Sequence, residues 1–376
     1  MDLELTADQK LFQASARSLL DKEFSLDALR RLDEGDLAWS REVWQRGAEL
    51  GWAATIVPEE LGGGSVSGDG VRDLVLLAEE LGATVAPGPF LPVNVVLAGL
   101  VAAHGTGPDH TETIEALVSG EQIASWAVYE PGGQWAPGDA GVTATKAGEG
   151  WRLDGVKDRV EAGTEADLLL VTANGPDGLL QFLVPTDASG VTVSAQWSLD
   201  LSRSLAEVRL AEVEVGADAV VGTLDTTAAV LERQLQIALL IQCAELCGGL
   251  DRMFAVTLQY GFDRFSFGRP LASYQALKHR YADMRTWLEA SHATTQAAAE
   301  AVQAETPEAA TLVSVAKSFV AERAQVILQD CVQLHGGIGV TWEHDLHLYL
   351  RRATVDRALY GTPEDHRRRL ADLAGL

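Results

Sequence analysis

Gly261-Phe262-Asp263-Arg264-Phe265-Ser266-Phe267-Gly268-Arg269-Pro270 is a polar turn set between two long helical patterns, and it runs on through Ser273-Tyr274-Gln275-Ala276-Leu277-Lys278-His279-Arg280. Arg264 supplies a rigid guanidinium fork suited to a phosphate or carboxylate. Gly268 lets backbone approach a ligand closely, and Pro270 stiffens the exit. A second turn closes a later helical run: Val332-Gln333-Leu334-His335-Gly336-Gly337-Ile338-Gly339-Val340-Thr341-Trp342-Glu343. Its glycines leave bare backbone amides against which a nucleotide or phosphate can lie. Either turn alone also reads as an ordinary helix C-terminus.

Outward from these turns, the helical period reaches back to Thr226 and persists to the chain end, with a fresh start at Thr306-Pro307-Glu308, an N-cap followed by proline. Between Ile123 and Leu210 the period is different. Short alternating or β-branched runs at 124–128, 142–145, 151–153, 168–171, 180–184, 191–193 and 206–210 are separated by Gly, Pro and Asp turns, the pattern of a small β-barrel or sandwich. Ahead of them, Thr6-Ala7-Asp8-Gln9 forms a capping box, with Leu11, Phe12, Ala16, Leu19 and Leu20 at helical spacing. Further helices are expected over 40–50, 70–81 and 95–103, with Pro58-Glu59-Glu60-Leu61-Gly62-Gly63-Gly64 as a loop and 86–92, rich in proline, breaking the pattern. The expected architecture is α+β and multidomain. It has an N-terminal helical domain (1–119), a central β-barrel or sandwich (120–223) and a C-terminal four-helix bundle (224–376).

The chain has 376 residues, 29 basic against 54 acidic side chains and a net charge of -25. That balance repels nucleic acid and anionic membrane, so an anionic ligand must be caught by local arginines, lysines and helix N-termini. The start, Met1-Asp2-Leu3-Glu4, lacks the basic and apolar regions of a signal peptide, and no apolar run spans a membrane, so a cytoplasmic chain is expected. Three cysteines do not make a disulfide framework, and Cys243 and Cys247, one helical turn apart, read as core rather than metal ligands. No metal site is expected.

Together, in this order, the Arg264–Phe267–Gly268 turn and the Gln333–Gly336–Gly337 turn resemble those of the acyl-CoA dehydrogenase family of flavoproteins. The loop at 58–63 and Ala78-Glu79-Glu80-Leu81-Gly82 are similar to its N-terminal domain, so the resemblance spans essentially the whole chain. It implies FAD as cofactor, an acyl-CoA thioester as substrate, and an acceptor such as an electron-transfer flavoprotein. It also implies that Arg264, Phe267, Gly268, Gln275, Gln333, Gly336 and Gly337 hold the pyrophosphate and adenine end of a neighbouring subunit's FAD. Such an enzyme needs a carboxylate on one face of the substrate to remove the α-proton while the flavin takes the β-hydrogen.

At the positions matching the family's own active site, this chain departs. In Leu359-Tyr360-Gly361-Thr362-Pro363-Glu364-Asp365-His366-Arg367, Tyr360 stands where the resemblance places the base, and a phenol titrates near 10. The other position used by relatives falls on Ala238. Glu245, about two turns further along the same helix face, is the fallback base, with a paired or solvated helix glutamate as its bland reading, and Glu232 is expected to be exposed. Tyr129-Glu130-Pro131-Gly132-Gly133-Gln134-Trp135 keeps the Glu-Pro of a flavin-contacting turn without its hydroxyls. In Gly155-Val156-Lys157-Asp158-Arg159-Val160-Glu161, Arg159 replaces a tryptophan that stacks on the flavin, and Glu161 replaces a hydroxyl near its N5. A carboxylate there opposes the charge of a reduced flavin.

The altered residues serve the chain's own site and the retained ones serve a neighbour's. This asymmetry points to the base-lacking subunit of a heteromeric α2β2 acyl-CoA dehydrogenase, with FAD shared with or held by the partner. Two-gene enzymes of this kind in actinobacteria degrade steroid side chains, so the resemblance extends to a bulky acyl group. Three alternatives remain open at this stage: a self-sufficient homotetramer using Glu245, a structural paralogue without flavin, and a flavin monooxygenase on the same fold.

Overall fold

The computed structural model describes residues 5–32, 38–132 and 135–376. Met1–Glu4, Gly133 and Gln134, read above, lie outside these. The N-terminal elements are α1 (Ala7–Glu23), α2 (Leu26–Leu29), α3 (Arg41–Glu49), α4 (Gly70–Ala83), α5 (Phe90–Ala103) and α6 (Thr111–Val118). The expected capping box forms: Thr6 Oγ1 accepts from Gln9 N–H, and Gln9 Oε1 accepts from Thr6 N–H. α5 begins earlier than the proline-rich sequence suggests, because Pro92 falls in its first turn, where no intrahelical N–H bond is lost. It is apolar all round and buried between α7, β1 and α6, so tertiary contact outweighs the breaker signal.

The strands are β1 (Ala124–Ala127), β2 (Thr143–Ala147), β3 (Gly150–Glu161), β4 (Leu168–Gly175), β5 (Gly178–Pro185), β6 (Val191–Gln196), β7 (Leu205–Val215) and β8 (Val220–Val221). All seven expected strands form. They join in one eight-stranded mixed sheet, ordered β6-β7-β3-β2-β4-β5-β8, with β1 running parallel beside β4. β3 is much longer than its apolar core because register shifts after Leu153 and Lys157 carry it on to Glu161, with Arg159 in the left-handed region at φ 48°.

The C-terminal helices are α7 (Thr227–Asp263), α8 (Gln275–Gln303), α9 (Ala309–His335), α10 (Leu346–Ala358) and α11 (Pro363–Leu373). Three long rods and a fourth broken at 359–362 make up the C-terminal helical domain. α9 starts at Ala309 with Glu308 as its cap residue, two positions after Thr306. α4 and α7 cross at backbone contact: a Cβ on Gly82 would lie 1.9 Å from the Glu245 carbonyl oxygen, and one on Gly248 would lie 1.9 Å from that of Glu79. The sheet is tied to the bundle where Gln181 on β5 donates to Gln234 on α7 at 2.8 Å. Among the described residues, no helix is long and apolar enough to cross a membrane.

Candidate functional site

The two turns found first in the sequence lie at the same end of the bundle. Tyr260, in the last turn of α7, stacks on His335 at the end of α9, with ring centroids 4.5 Å apart. Beyond α7, β9 (Phe265–Ser266) pairs with β10 (Arg269–Pro270) in a hairpin whose two turn residues, Phe267 and Gly268, have φ of 48° and 78°. Arg269 lies over the Tyr274 ring at 3.8 Å, and Tyr274 Oη donates to Ser266 O at 2.7 Å, which braces the hairpin. Arg264 is exposed beside it. Gln275 opens α8, whose N-terminus has no side-chain cap, so its first amides are available to an anion.

On the other turn, Gln333, Gly336 and Gly337 are exposed. Gly339 is glycine for an internal reason, since a Cβ there would come within 2.7 Å of Val332 O. Gly337 has no such reason: its φ is not positive, and a Cβ would meet nothing within 4 Å. Its bare backbone faces outward. Around the turns Phe265, Phe267, Ile338, Val340 and Trp342 are exposed, Phe267 at 96%. Exposed apolar residues gathered in this way mark an interaction surface.

Around Glu161, at one of the positions matching the family's own flavin site, charged side chains pack against one another. Glu161, at the end of β3, pairs with Arg203 from the β6–β7 loop, and the same guanidinium pairs with Glu245 on α7 and with Asp356 on α10, the last at 3.1 Å. Arg352 pairs with Asp200 and lies 3.6 Å from Glu245; it also donates to Ser202 Oγ at 2.5 Å and to Ala86 O at 3.1 Å. Arg203 and Glu161 are 3% and 4% exposed, so the ion pair is a strut packed inside protein. Burial pushes the carboxyls of Glu161 and Glu245 up, against the pull of Arg203, and raises Asp356 to about 6. For Asp200 burial works the same way, but Arg352 and Arg203 outweigh it and hold the group low. Although four carboxylates gather here, no set of three or more His, Cys, Asp or Glu side chains among the described residues is arranged to hold a metal ion.

Beside the strut lies an aromatic cluster. Tyr360 stacks on Trp126 at 5.7 Å and 16°, and touches Tyr129 and Trp135 at 5.9 and 6.0 Å. The Tyr129 hydroxyl accepts from the Tyr360 N–H, which clamps the sheet to the α10–α11 connection. Burial drives the Tyr360 phenol well above its ordinary value. Arg159 packs over the Tyr129 ring at 4.2 Å, and its Nε donates to Asp158 at 2.9 Å. Lys157 is fully buried and pairs with Glu130, so the retained Glu-Pro turn is anchored from within. Lys317 holds the same connection from below, donating to Gln242 Oε1 at 2.5 Å, to Leu359 O at 2.9 Å and to Asp356 O.

Glu245 is 5% exposed, and its Oε2 is shared between the Arg203 and Arg352 guanidinium groups. Tyr360 is a packing residue. Ala238 is fully buried in α7. Glu232 is half-buried, not exposed, with both oxygens held by Arg369 at 2.5 and 2.6 Å. Arg203 was missed altogether in the sequence, because nothing local marks an arginine whose partners come from three distant elements. A carboxylate buried with its arginine at Glu161 does not suit the negative charge of a reduced flavin.

Comparison with known proteins bears on the family. Residues 6–121 match the N-terminal domain of acyl-CoA dehydrogenases, and residues 228–374 match their C-terminal domain. The chain is 30% identical to acyl-CoA dehydrogenase IpdE2 of Mycobacterium tuberculosis over 96% of both proteins. Among solved structures it superposes on one from the ChsE4-ChsE5 complex of Mycobacterium tuberculosis with a TM-score of 0.87 and 28% identity, covering 100% of this chain and 99% of that one. A structure described as a variant of the Tcur3481-Tcur3483 steroid ACAD gives 0.86 and 28%, covering 98% and 97%.

Proposed function

Because this chain belongs to the acyl-CoA dehydrogenase family, whose members are FAD-dependent oxidoreductases, we propose that it is the subunit of a heteromeric enzyme that completes a partner's FAD site and seats no flavin of its own. The observation that carries this reading is the strut from Glu161 through Arg203 to Glu245, a buried ion pair at a position that matches a flavin-contacting residue of the family. Bound FAD supplies the hydride acceptor for α,β-dehydrogenation of an acyl-CoA thioester. In this reading Arg264 presents its fork to the pyrophosphate, and the α8 N-terminus beside Gln275 adds amide donors and a favourable dipole. Gln333 and the exposed backbone of Gly336 and Gly337 receive the adenine end. The exposed apolar residues around both turns form the contact with the partner, which brings the α-proton base that this chain lacks. The likeness to two-protein complexes, one described as a steroid ACAD, supports an α2β2 assembly acting on a bulky acyl group.

The test is a flavin count. The chain is purified alone and after co-expression with a second acyl-CoA dehydrogenase-like chain, and flavin absorbance is divided by protein. The expected result is none on the chain alone and one FAD per pair. One FAD on each isolated chain, with dye reduction on adding an acyl-CoA, refutes the proposal and favours the homotetramer.

A further inference from the structure

On the far flank of α7 from the buried ion pairs lies a cleft of about 760 Å³, bounded by the 55–70 loop, the C-terminal half of α5, the start of α7 and the α8–α9 connection. Arg233 forms part of its wall. The position lies 12 residues before Glu245, about 18 Å along the helix at 1.5 Å per residue, so the two sites do not share side chains.

Arg233 is half-buried and donates once, from Nη1 to Val302 O at 2.8 Å, where it satisfies the last turn of α8. That bond explains why an arginine suits the position, but it uses one of five donors. Among the described residues no carboxylate is ion-paired with this guanidinium, and burial lowers its pKa with only the field of Glu305 opposing. Volumes of a few hundred to about 1,000 Å³ are those of small-molecule sites. The apolar part of the lining is fine-grained: Val71, Ala98, Val101, Ala102 and Ala229. Glu305 is close enough for its field to reach the guanidinium, Glu59 also lines the cleft, and Glu232 is already neutralised by Arg369. One available cation flanked by two carboxylates favours a single negative charge over a dianion.

We infer that this cleft binds a small monocarboxylic acid with an apolar body, its carboxylate on the Arg233 fork and its hydrocarbon against the alanine-lined wall. The inference stands apart from the reading of the flavin turns, because it involves neither of them. Octanoate is the probe and hexylphosphonate, a dianion at mildly alkaline pH, the contrast, both titrated into the full chain by calorimetry. Octanoate is expected to bind with 1:1 stoichiometry and hexylphosphonate at least tenfold more weakly. Arg233→Gln is expected to weaken octanoate 10- to 100-fold, the range for a charge-assisted hydrogen-bonded contact. Ala229→Trp, a change on the exposed side of α7, narrows the mouth without touching the arginine and is expected to abolish binding; it decides the question if Arg233→Gln does not fold. No heat at millimolar octanoate, undiminished binding to a folded Arg233→Gln, or equal affinity for the phosphonate overturns the inference.

Discussion

Arg203→Met tests the buried ion pairs most directly. The side chain stays unbranched but shorter and loses its charge, leaving Glu161, Glu245, Asp356 and Asp200 with Arg352, and with Lys317 near Asp356. Removing one partner of a buried ion pair costs about 3–5 kcal/mol, because the remaining charges stay buried and uncompensated. At roughly 2 °C per kcal/mol for a large chain, the melting temperature at about pH 8 falls by about 6–10 °C. The pH dependence follows from the sign of the shift. Asp356 is held at about 6 in the folded protein against an ordinary 3.8, so the folded state binds the proton more tightly than the unfolded one. Its penalty is absent below the unfolded value, grows between the two values and is complete above the folded one. Losing Arg203 raises the carboxyls further, and protonation then relieves the variant more than the parent. The deficit is therefore expected to be widest at about pH 8 and to narrow towards about pH 5. Adding Glu161→Gln and Glu245→Gln to Arg203→Met restores much of the loss, since the unpaired charges leave with their partner. Thermal melts across this pH range check both. A single variant within about 1 °C of the parent, or a deficit flat with pH, refutes the strut.

Gly337→Leu is expected to leave the isolated chain's melting temperature within about 1 °C, as an exposed position with open space around it, while flavin absorbance per co-purified pair falls sharply. His292 bridges Glu79 at 3.1 Å and Asp251 at 2.8 Å. Burial alone lowers its pKa, but the hydrogen bonds to Asp251 and Glu79 more than reverse this and raise it to about 10 from 6.5. The clamp's stability is fully present below about pH 6.5 and is lost as pH rises through about 10. The melting-temperature gap between parent and His292→Gln is thus expected to be widest near pH 6 and to close near pH 10.

Periodicity located nearly every element, because α1, α4 and β4–β7 each bury one face or one run with the spacing their geometry demands. It failed at α5, where Pro92 suggested a break but burial on all sides carried the helix through, and at β3, where two register shifts extend the strand past its apolar core. The open turns were legible residue by residue: Arg264, Gly268, Gln333 and Gly336 need no partner in the chain to make sense. The buried charge network was half-legible. Glu161 and Arg159 stood out as wrong for a flavin, yet nothing adjacent to either names Arg203, which reaches Glu161 only once the β6–β7 loop has folded against α7 and α10. Charge pairs between distant elements leave no periodic trace.

The shared guanidinium of Arg203 also constrains what a lineage carrying it can become. Reclaiming a flavin contact beside Glu161 requires removing the arginine, yet that step alone strands several acids in the interior, and neutralising one acid first leaves a positive charge equally stranded. Each single substitution passes through a less stable protein, and only a coordinated set does not. Under the heteromeric reading proposed above, dependence on a second gene product is thereby made difficult to undo, since selection on stability keeps the pair together even where selection on catalysis is weak.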